Sequence, residues 1–276
     1  MMTKKYRYLL LSILIILGLV FLLYARSSRA QDIVSVQRDV LSITQYKHSV
    51  AYLSKDGEVR DYLTNDFIDS IIKYSSNYGN PQFKQIVDEF YVLSNHSTSS
   101  TLYSSHLEPQ RIPSQLCWFV GNSVVYYDQK DESFKLFMGT IDISKLNHGL
   151  LDIFRYANEK SKYSIVQYRD DFFIYYFDGK SAFFTNKDKS HTFRIENGAL
   201  IPDQYFDILG DTIVLMDYSG NFIVGDIQTG KTLRDESYVI LYRSDDYGVY
   251  RNPILLKENK VACIHYSKGK GRIVVR

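Results

Sequence analysis

The stretch Asp211-Thr-Ile-Val-Leu-Met-Asp-Tyr-Ser-Gly-Asn-Phe-Ile-Val-Gly-Asp-Ile-Gln-Thr-Gly-Lys-Thr232 decides how the chain is read. Ile213, Val214, Leu215 and Met216 are mostly β-formers, and Tyr218-Ser219-Gly220-Asn221 is turn chemistry. Phe222, Ile223 and Val224 then return the chain. Gly220 supplies the positive φ that a tight hairpin turn demands. Residues 226–231, Asp-Ile-Gln-Thr-Gly-Lys, close the unit with a second turn.

Weaker copies of this strand–turn–strand unit recur on both sides. Toward the C-terminus, residues 254–256 and 261–266 flank a turn at Glu258-Asn259, and residues 272–275 add a last strand. Toward the N-terminus, residues 172–177 and 182–185 flank Asp178-Gly179-Lys180. Residues 116–120, 124–127 and 134–137 form another set around a turn at 129–132. Residues 50–53 and 59–63 flank Lys55-Asp56-Gly57, and Asp-Gly between apolar runs is among the strongest short-range hairpin signals. A helix is expected from Leu146, Leu150, Ile153, Phe154 and Ala157, with Gly149 weakening it.

Turn markers at Asp56, Lys130, Asp178, Ser219 and Glu258 are 74, 48, 41 and 39 residues apart. The long first interval holds residues 66–115, which look different. Phe67, Ile68, Ile71 and Ile72 have helical spacing. Asn80-Pro81 has the form of a helix start, with Phe83, Ile86, Val87 and Phe90 as its apolar stripe, and residues 94–115 are rich in Ser and Thr. This segment is therefore expected to be a helical and Ser-rich insertion. Without about 33 of its residues the first interval also falls near 41, and a period near 40 with several short strands is a propeller signature. The aromatic–apolar hairpins with Asp-x-x-Thr-Gly-Lys resemble the repeats of the pyrroloquinoline-quinone-type and WD-type β-propellers, over roughly residues 35–275. Trp118 is the only Trp, whereas such repeats usually carry one each. The resemblance implies a mostly β, propeller-like fold of about five blades, six if residues 33–44 join the last strand. A β-sandwich with added helices is the alternative.

Residues 9–23 are apolar except for Ser12 and Gly18, and follow Lys4, Lys5 and Arg7. As a transmembrane signal-anchor this run is at the short end of what spans a bilayer. As a cleaved signal peptide it offers Ser28-Arg29-Ala30 to a peptidase. The first reading makes residues 1–30 a cytoplasmic tip and transmembrane segment, the second makes them a cleaved leader, and both place residues 31–276 in the periplasm or outside the cell. The formal net charge of +2 comes from 33 bases and 31 acids. The first thirty residues hold five of those bases and no acid, so the remainder is about −3. That balance, with no basic cluster beyond Lys268, Lys270, Arg272 and Arg276, gives no nucleic-acid surface.

Gly225-Asp-Ile-Gln-Thr-Gly230-Lys231-Thr232 matches a phosphate-loop pattern. That loop must open a helix, whose free N–H groups hold the phosphates, and the chain here continues as strand, so no nucleotide is expected. Cys117 and Cys263, the only cysteines, permit a disulfide in an exported domain; two buried thiols are the other reading. Six histidines show no ligand spacing; His96 and His106 share the Ser-rich loop and could converge on a metal. Asp170-Asp171 and Asp245-Asp246 read as solvated turns, and adjacent carboxylates on a strand point to opposite faces. The aromatic runs at 126–127 and 172–177 read as core. No cofactor or catalytic residue is assigned.

These features point to a membrane-anchored extracytoplasmic scaffold that binds an envelope or surface protein. The insertion is the expected contact element, through Phe83, Phe90, Tyr91, His96 and His106. The alternatives are a glycan-active enzyme, with acids paired at a channel mouth, and a periplasmic immunity protein that neutralises a toxin.

Overall fold

The computed structural model describes residues 39–276 apart from 48, 75–80, 161, 178–180, 186–192, 197–205, 217–219, 221, 230, 237–248 and 268–269. The apolar segment at 9–23 and the Asp245-Asp246 pair lie outside the described residues. Among the described residues no helix is long and apolar enough to cross a membrane.

The described strands form six antiparallel sheets in chain order. Sheet 1 holds β1 (Val40–Tyr46), β2 (Ser49–Ser54), β3 (Glu58–Asp61) and β4 (Phe67–Ser70). Sheet 2 holds β5 (Gln82–Ile86), β6 (Glu89–Asn95), β7 (Ser100–Ser104) and β8 (Gln110–Ile112). Sheet 3 holds β9 (Cys117–Val120), β10 (Ser123–Asp128) and β11 (Ser133–Met138), followed by helix α1 (Ile143–Lys160). Sheet 4 holds β12 (Lys162–Tyr168), β13 (Asp171–Phe177), β14 (Ser181–Thr185) and β15 (Phe193–Glu196). Sheet 5 holds β16 (Phe206–Leu209), β17 (Thr212–Met216), β18 (Phe222–Asp226) and β19 (Thr232–Asp235). Sheet 6 holds β20 (Val249–Leu255), β21 (Val261–Ser267) and β22 (Lys270–Val275). Each is an open meander, and no described strand is shared between sheets.

The sheets meet through side chains, and the second strand of each is the organising element. Side chains alternate across a strand, so a strand buried on both faces reads as a continuous apolar run. On β13, Phe172 and Ile174 pack toward sheet 3 while Phe173 packs toward sheet 5. On β17, Ile213 and Leu215 face sheet 4, and Val214 and Met216 face sheet 6. On β6, Phe90 and Val92 face sheet 1, and Tyr91 and Leu93 face sheet 3. The aromatic runs are thus core, as expected, where their side chains are described. Sheet 6 meets sheet 1 in the same way: Ala262, Ile264 and Ile273 pack on Val40, Ile43, Val50 and Tyr52. Asn252 Nδ2 donates to Ser42 Oγ at 2.7 Å across that junction. Gly271 is required there, because a Cβ would overlap the Val40 carbonyl oxygen.

Residues 66–115 correct the sequence reading. They hold β4 and the whole of sheet 2 instead of a helical insertion, so the described residues form six sheets where about five, or six with residues 33–44, were expected. Phe83 and Ile86 are three residues apart on β5 and therefore face opposite ways, into the sheet 1 and sheet 3 interfaces. A strand buried on both faces with a turn at Val87 reproduces the 3–4 spacing of a helix stripe. Pro81 sits just before β5, where its missing N–H breaks no ladder.

The expected helix does form at α1. Asp142 caps it, accepting from Ser144 N at 2.9 Å and Lys145 N at 3.1 Å. Leu146, Leu150 and Phe154 make its buried stripe against Trp118, Tyr127 and Phe134. It also covers the outer edge of sheet 3. Asn147 Oδ1 accepts from Phe134 N at 2.8 Å and its Nδ2 donates to Phe134 O at 3.1 Å. One side-chain amide thereby does for β11 what a fourth strand does elsewhere, blunting an edge open to mispairing.

Candidate functional site

The first strand of each sheet lies innermost. β1 contacts β5, β5 contacts β9, β9 contacts β12, β16 contacts β20, and β20 contacts β1. Between these strands lies a pocket of about 440 Å³, with Thr44, Gln45, Lys84, Asp207, Ile208 and Ile254 among its lining residues. Thr44, Gln45 and Ile254 come from the C-terminal parts of β1 and β20, and Lys84 and Asp207 from the middle of β5 and β16, the arrangement expected of four innermost strands that run in the same direction. The turns that follow them, and the turns two strands later, consequently lie on one face.

Lys84 and Asp207 carry the pocket's electrostatics. The Lys84 amine donates to the carbonyl of Gly121, in the β9–β10 turn, at 2.7 Å. Asp207 Oδ2 accepts from Leu255 N at 2.8 Å and Gln45 Nε2 at 3.3 Å, and the carboxylate also takes the Ile208 N–H. Burial pushes the Asp207 carboxyl up to about 6 against the opposing pull of those hydrogen bonds and of Lys84. Burial likewise holds the Lys84 amine below the ordinary lysine range. Both side chains keep part of their surface open to solvent, because they face the pocket. They attract one another without a direct ion pair. Asp207 is the one carboxylate lining the pocket, so the paired acids that glycoside hydrolysis needs are not brought together there among the described residues.

The face around the pocket is apolar in a specific way. Among the described residues seven large apolar side chains are exposed, and five of them lie at turns on this face. Leu63 and Phe67 flank the β3–β4 turn, Val87 is in the β5–β6 turn, Leu107 in the β7–β8 turn, and Leu209 at the β16–β17 turn. Val87 is 79% exposed and has φ 57°, a left-handed conformation that a β-branched residue rarely adopts. The β3–β4 turn is braced from below. Asp61 Oδ1 accepts from Leu63 N and Thr64 N, at 2.8 and 3.1 Å, and Tyr52 Oη donates to Asn65 Oδ1 at 2.8 Å. On the same face Asp211 ties sheet 4 to sheet 5, accepting from Tyr168 Oη at 2.6 Å and bidentately from Arg169.

Of the residues singled out from sequence only Phe83 reaches the pocket lining; the others fall elsewhere. Phe83, Phe90 and Tyr91 are buried in the interfaces of sheet 2. His96 lies in the β6–β7 turn, with Nε2 3.1 Å from Thr101 Oγ1. His106 lies in the β7–β8 turn, with Nδ1 2.9 Å from Ser105 Oγ. Strand β7 separates the two histidines, so they sit on opposite faces and do not converge, and the described residues hold no cluster fit for a metal. Cys117 and Cys263 are buried in different interfaces and are not bonded to one another, which removes the disulfide reading. Burial pushes the Cys117 thiol up to about 12, far from a reactive thiolate. The phosphate-loop pattern spans the end of β18 and the start of β19, with Thr229 N donating to Asp226 Oδ1 at 2.8 Å, and opens no helix. Asp171 pairs with Lys145 at 3.0 Å in a solvated turn. Sequence reasoning missed Lys84 and Asp207. A lysine and an aspartate on short strands carry no local signal until the strands that hold them are placed side by side.

No protein-family model matches the chain, and no curated relative does. Among solved structures it is similar to the AfRom2 CNH domain, with TM-score 0.42 and 13% identity over 88% of this chain and 81% of that one. It is similar to the WD40 β-propeller domain of Doa1, with TM-score 0.41 and 15% identity over 87% and 94%. The C-terminal WD40 domain of Sif2 gives TM-score 0.39 and 10% identity over 86% and 69%.

Proposed function

We propose that the chain is a membrane-anchored, extracytoplasmic scaffold whose six sheets are the blades of a propeller. It binds a protein of the envelope or cell surface through the face on which the pocket opens. The observation that carries this reading is that Leu63, Phe67, Val87, Leu107 and Leu209 are exposed at turns that this strand order places on one face, the β3–β4 turn being braced by Asp61 and Tyr52. Contiguous exposed apolar patches rimmed by polar residues mark interaction surfaces, and we read these five side chains as parts of one. The anchor rests on the apolar run at 9–23 behind three basic residues. The contact element moves from the whole of residues 66–115 to the turns of this face.

The test is cross-linked capture from the chain's own membranes, comparing full-length protein with a Leu63→Asp/Val87→Asp double variant. Both positions are exposed, so the variant keeps the thermal stability of the parent to within about 1 kcal/mol. A partner held by the parent and lost at least tenfold by the variant is the expected result. Equal capture by both refutes this face as the docking surface.

A further inference from the structure

The pocket carries an assignment of its own, separate from partner docking. Its charged lining is Lys47, Lys84 and Asp207, an excess of one base. The Lys84 ammonium has three N–H donors, and one is taken, by Gly121 O. Its desolvation is not offset by a direct ion pair, so an anion placed against it would be stabilised. Asp207 receives three hydrogen bonds, and a carboxylate has about four acceptor sites, which leaves one for a donor from the pocket. Phe83, Ile208 and Ile254 give apolar walls, and Thr44, Gln45 and Gln85 give neutral polar groups. The volume falls in the range of small-molecule sites.

We propose that this pocket binds a small ligand carrying a carboxylate and a neighbouring hydrogen-bond donor, the carboxylate on Lys84 and the donor on Asp207. The ligand is a free amino or hydroxy acid, or the last residue of a peptide; both present the same chemistry. Compact dianions such as phosphate are disfavoured, because Asp207 shares the pocket.

The experiment uses full-length protein in mild detergent with the methyl groups of its isoleucines labelled for NMR. Glycine, L-lactate, acetate, inorganic phosphate, and triglycine with a free or an amidated C-terminus are each titrated into the millimolar range expected of so small a ligand. Saturable shifts of Ile208 and Ile254 are expected with glycine or lactate, or with free-acid triglycine. Acetate, which lacks the donor, binds about tenfold less tightly, a loss of about 1.4 kcal/mol. Binding by the free acids assigns a small molecule, and binding by the free-acid peptide alone assigns a chain terminus. Lys84→Met, which keeps the volume and discards the charge, removes the response while the rest of the spectrum is unchanged. The proposal is overturned if no compound gives a saturable shift, if Lys84→Met leaves the shifts intact, or if phosphate or amidated triglycine binds as well as the acids. None of these outcomes depends on Leu63 or Val87, so this assignment and the docking face fail separately.

Discussion

Sheets 2 and 5 share a four-stranded meander buried on both faces, yet only sheet 5 announces itself in the sequence. Sheet 5 turns on glycine: Gly210 and Gly220 both have positive φ, at 60° and 81°. Sheet 2 has no glycine between Pro81 and Leu116. Its turns are built from hydroxyls and one strained valine. Ser104 Oγ accepts from His106 N and Leu107 N, at 3.2 and 2.8 Å. His96 N donates to Ser99 O at 2.8 Å. Buried Ser100 donates from Oγ to Ser114 O at 2.6 Å. Turn chemistry can therefore be supplied either by the backbone freedom of glycine or by side-chain hydrogen bonds that mimic a turn. The second kind spreads its signal over several Ser, Thr and Asn and resembles an ordinary polar loop.

If the two sheets are equivalent parts of one core, they should be equally costly to damage. Phe90 and Phe222 are both almost fully buried, each in an interface between consecutive sheets. Phe90→Ala and Phe222→Ala should each destabilise the protein by about 3–5 kcal/mol, measured by denaturant unfolding of the full-length chain. A loss below about 1 kcal/mol at Phe90 alone would return sheet 2 to the status of an appended insertion.

The hydroxyl-built turns make a finer test. Ser100→Ala strands the buried Ser114 carbonyl and should cost about 1–3 kcal/mol. Half-buried Ser105, whose hydroxyl makes only an exposed contact with the neighbouring His106 ring, should tolerate the same change within about 0.5 kcal/mol. Equal melting temperatures for the two variants would mean that the hydroxyl network of sheet 2 is incidental to its fold.

The same contrast explains what could be read from the sequence. The runs Val50-Ala-Tyr-Leu53, Val124-Val-Tyr-Tyr127, Phe172-Phe-Ile174, Ile213-Val-Leu-Met216 and Val261-Ala-Cys-Ile264 were legible, because a strand buried on both faces is continuously apolar. Phe90-Tyr-Val-Leu93 is the same signal. It was masked because Phe83, Ile86, Val87 and Phe90 fall at helical spacing. The interval of 74 residues between turn markers was a sheet with unrecognised turns, not one period plus an insertion. The helix at 143–160 was legible from Leu146, Leu150 and Phe154. Its use as a cover for β11 through Asn147 was not, since that depends on which edge the helix meets. The pocket was invisible for a similar reason. Lys84 and Asp207 are 123 residues apart in the chain, and only the convergence of the innermost strands brings them together.

Val87 gives the comparison its smallest and most discriminating test. It occupies a turn position with φ 57° where Asn, Asp or Gly is the usual occupant. Its side chain, 79% exposed, recovers no burial in return. For stability alone the residue is a poor choice, and strain of this sort tends to persist where function holds it. Val87→Asn gives sheet 2 a turn residue of the kind that marks sheet 5 and should raise stability by about 1 kcal/mol, seen as a higher melting temperature. If the apolar face is the docking surface, the same variant should hold its partner less tightly. Stability and binding then move in opposite directions, which a purely structural role for Val87 does not produce. A variant that is more stable and binds unchanged would remove Val87 from the docking face and leave Leu63, Phe67, Leu107 and Leu209 to carry it.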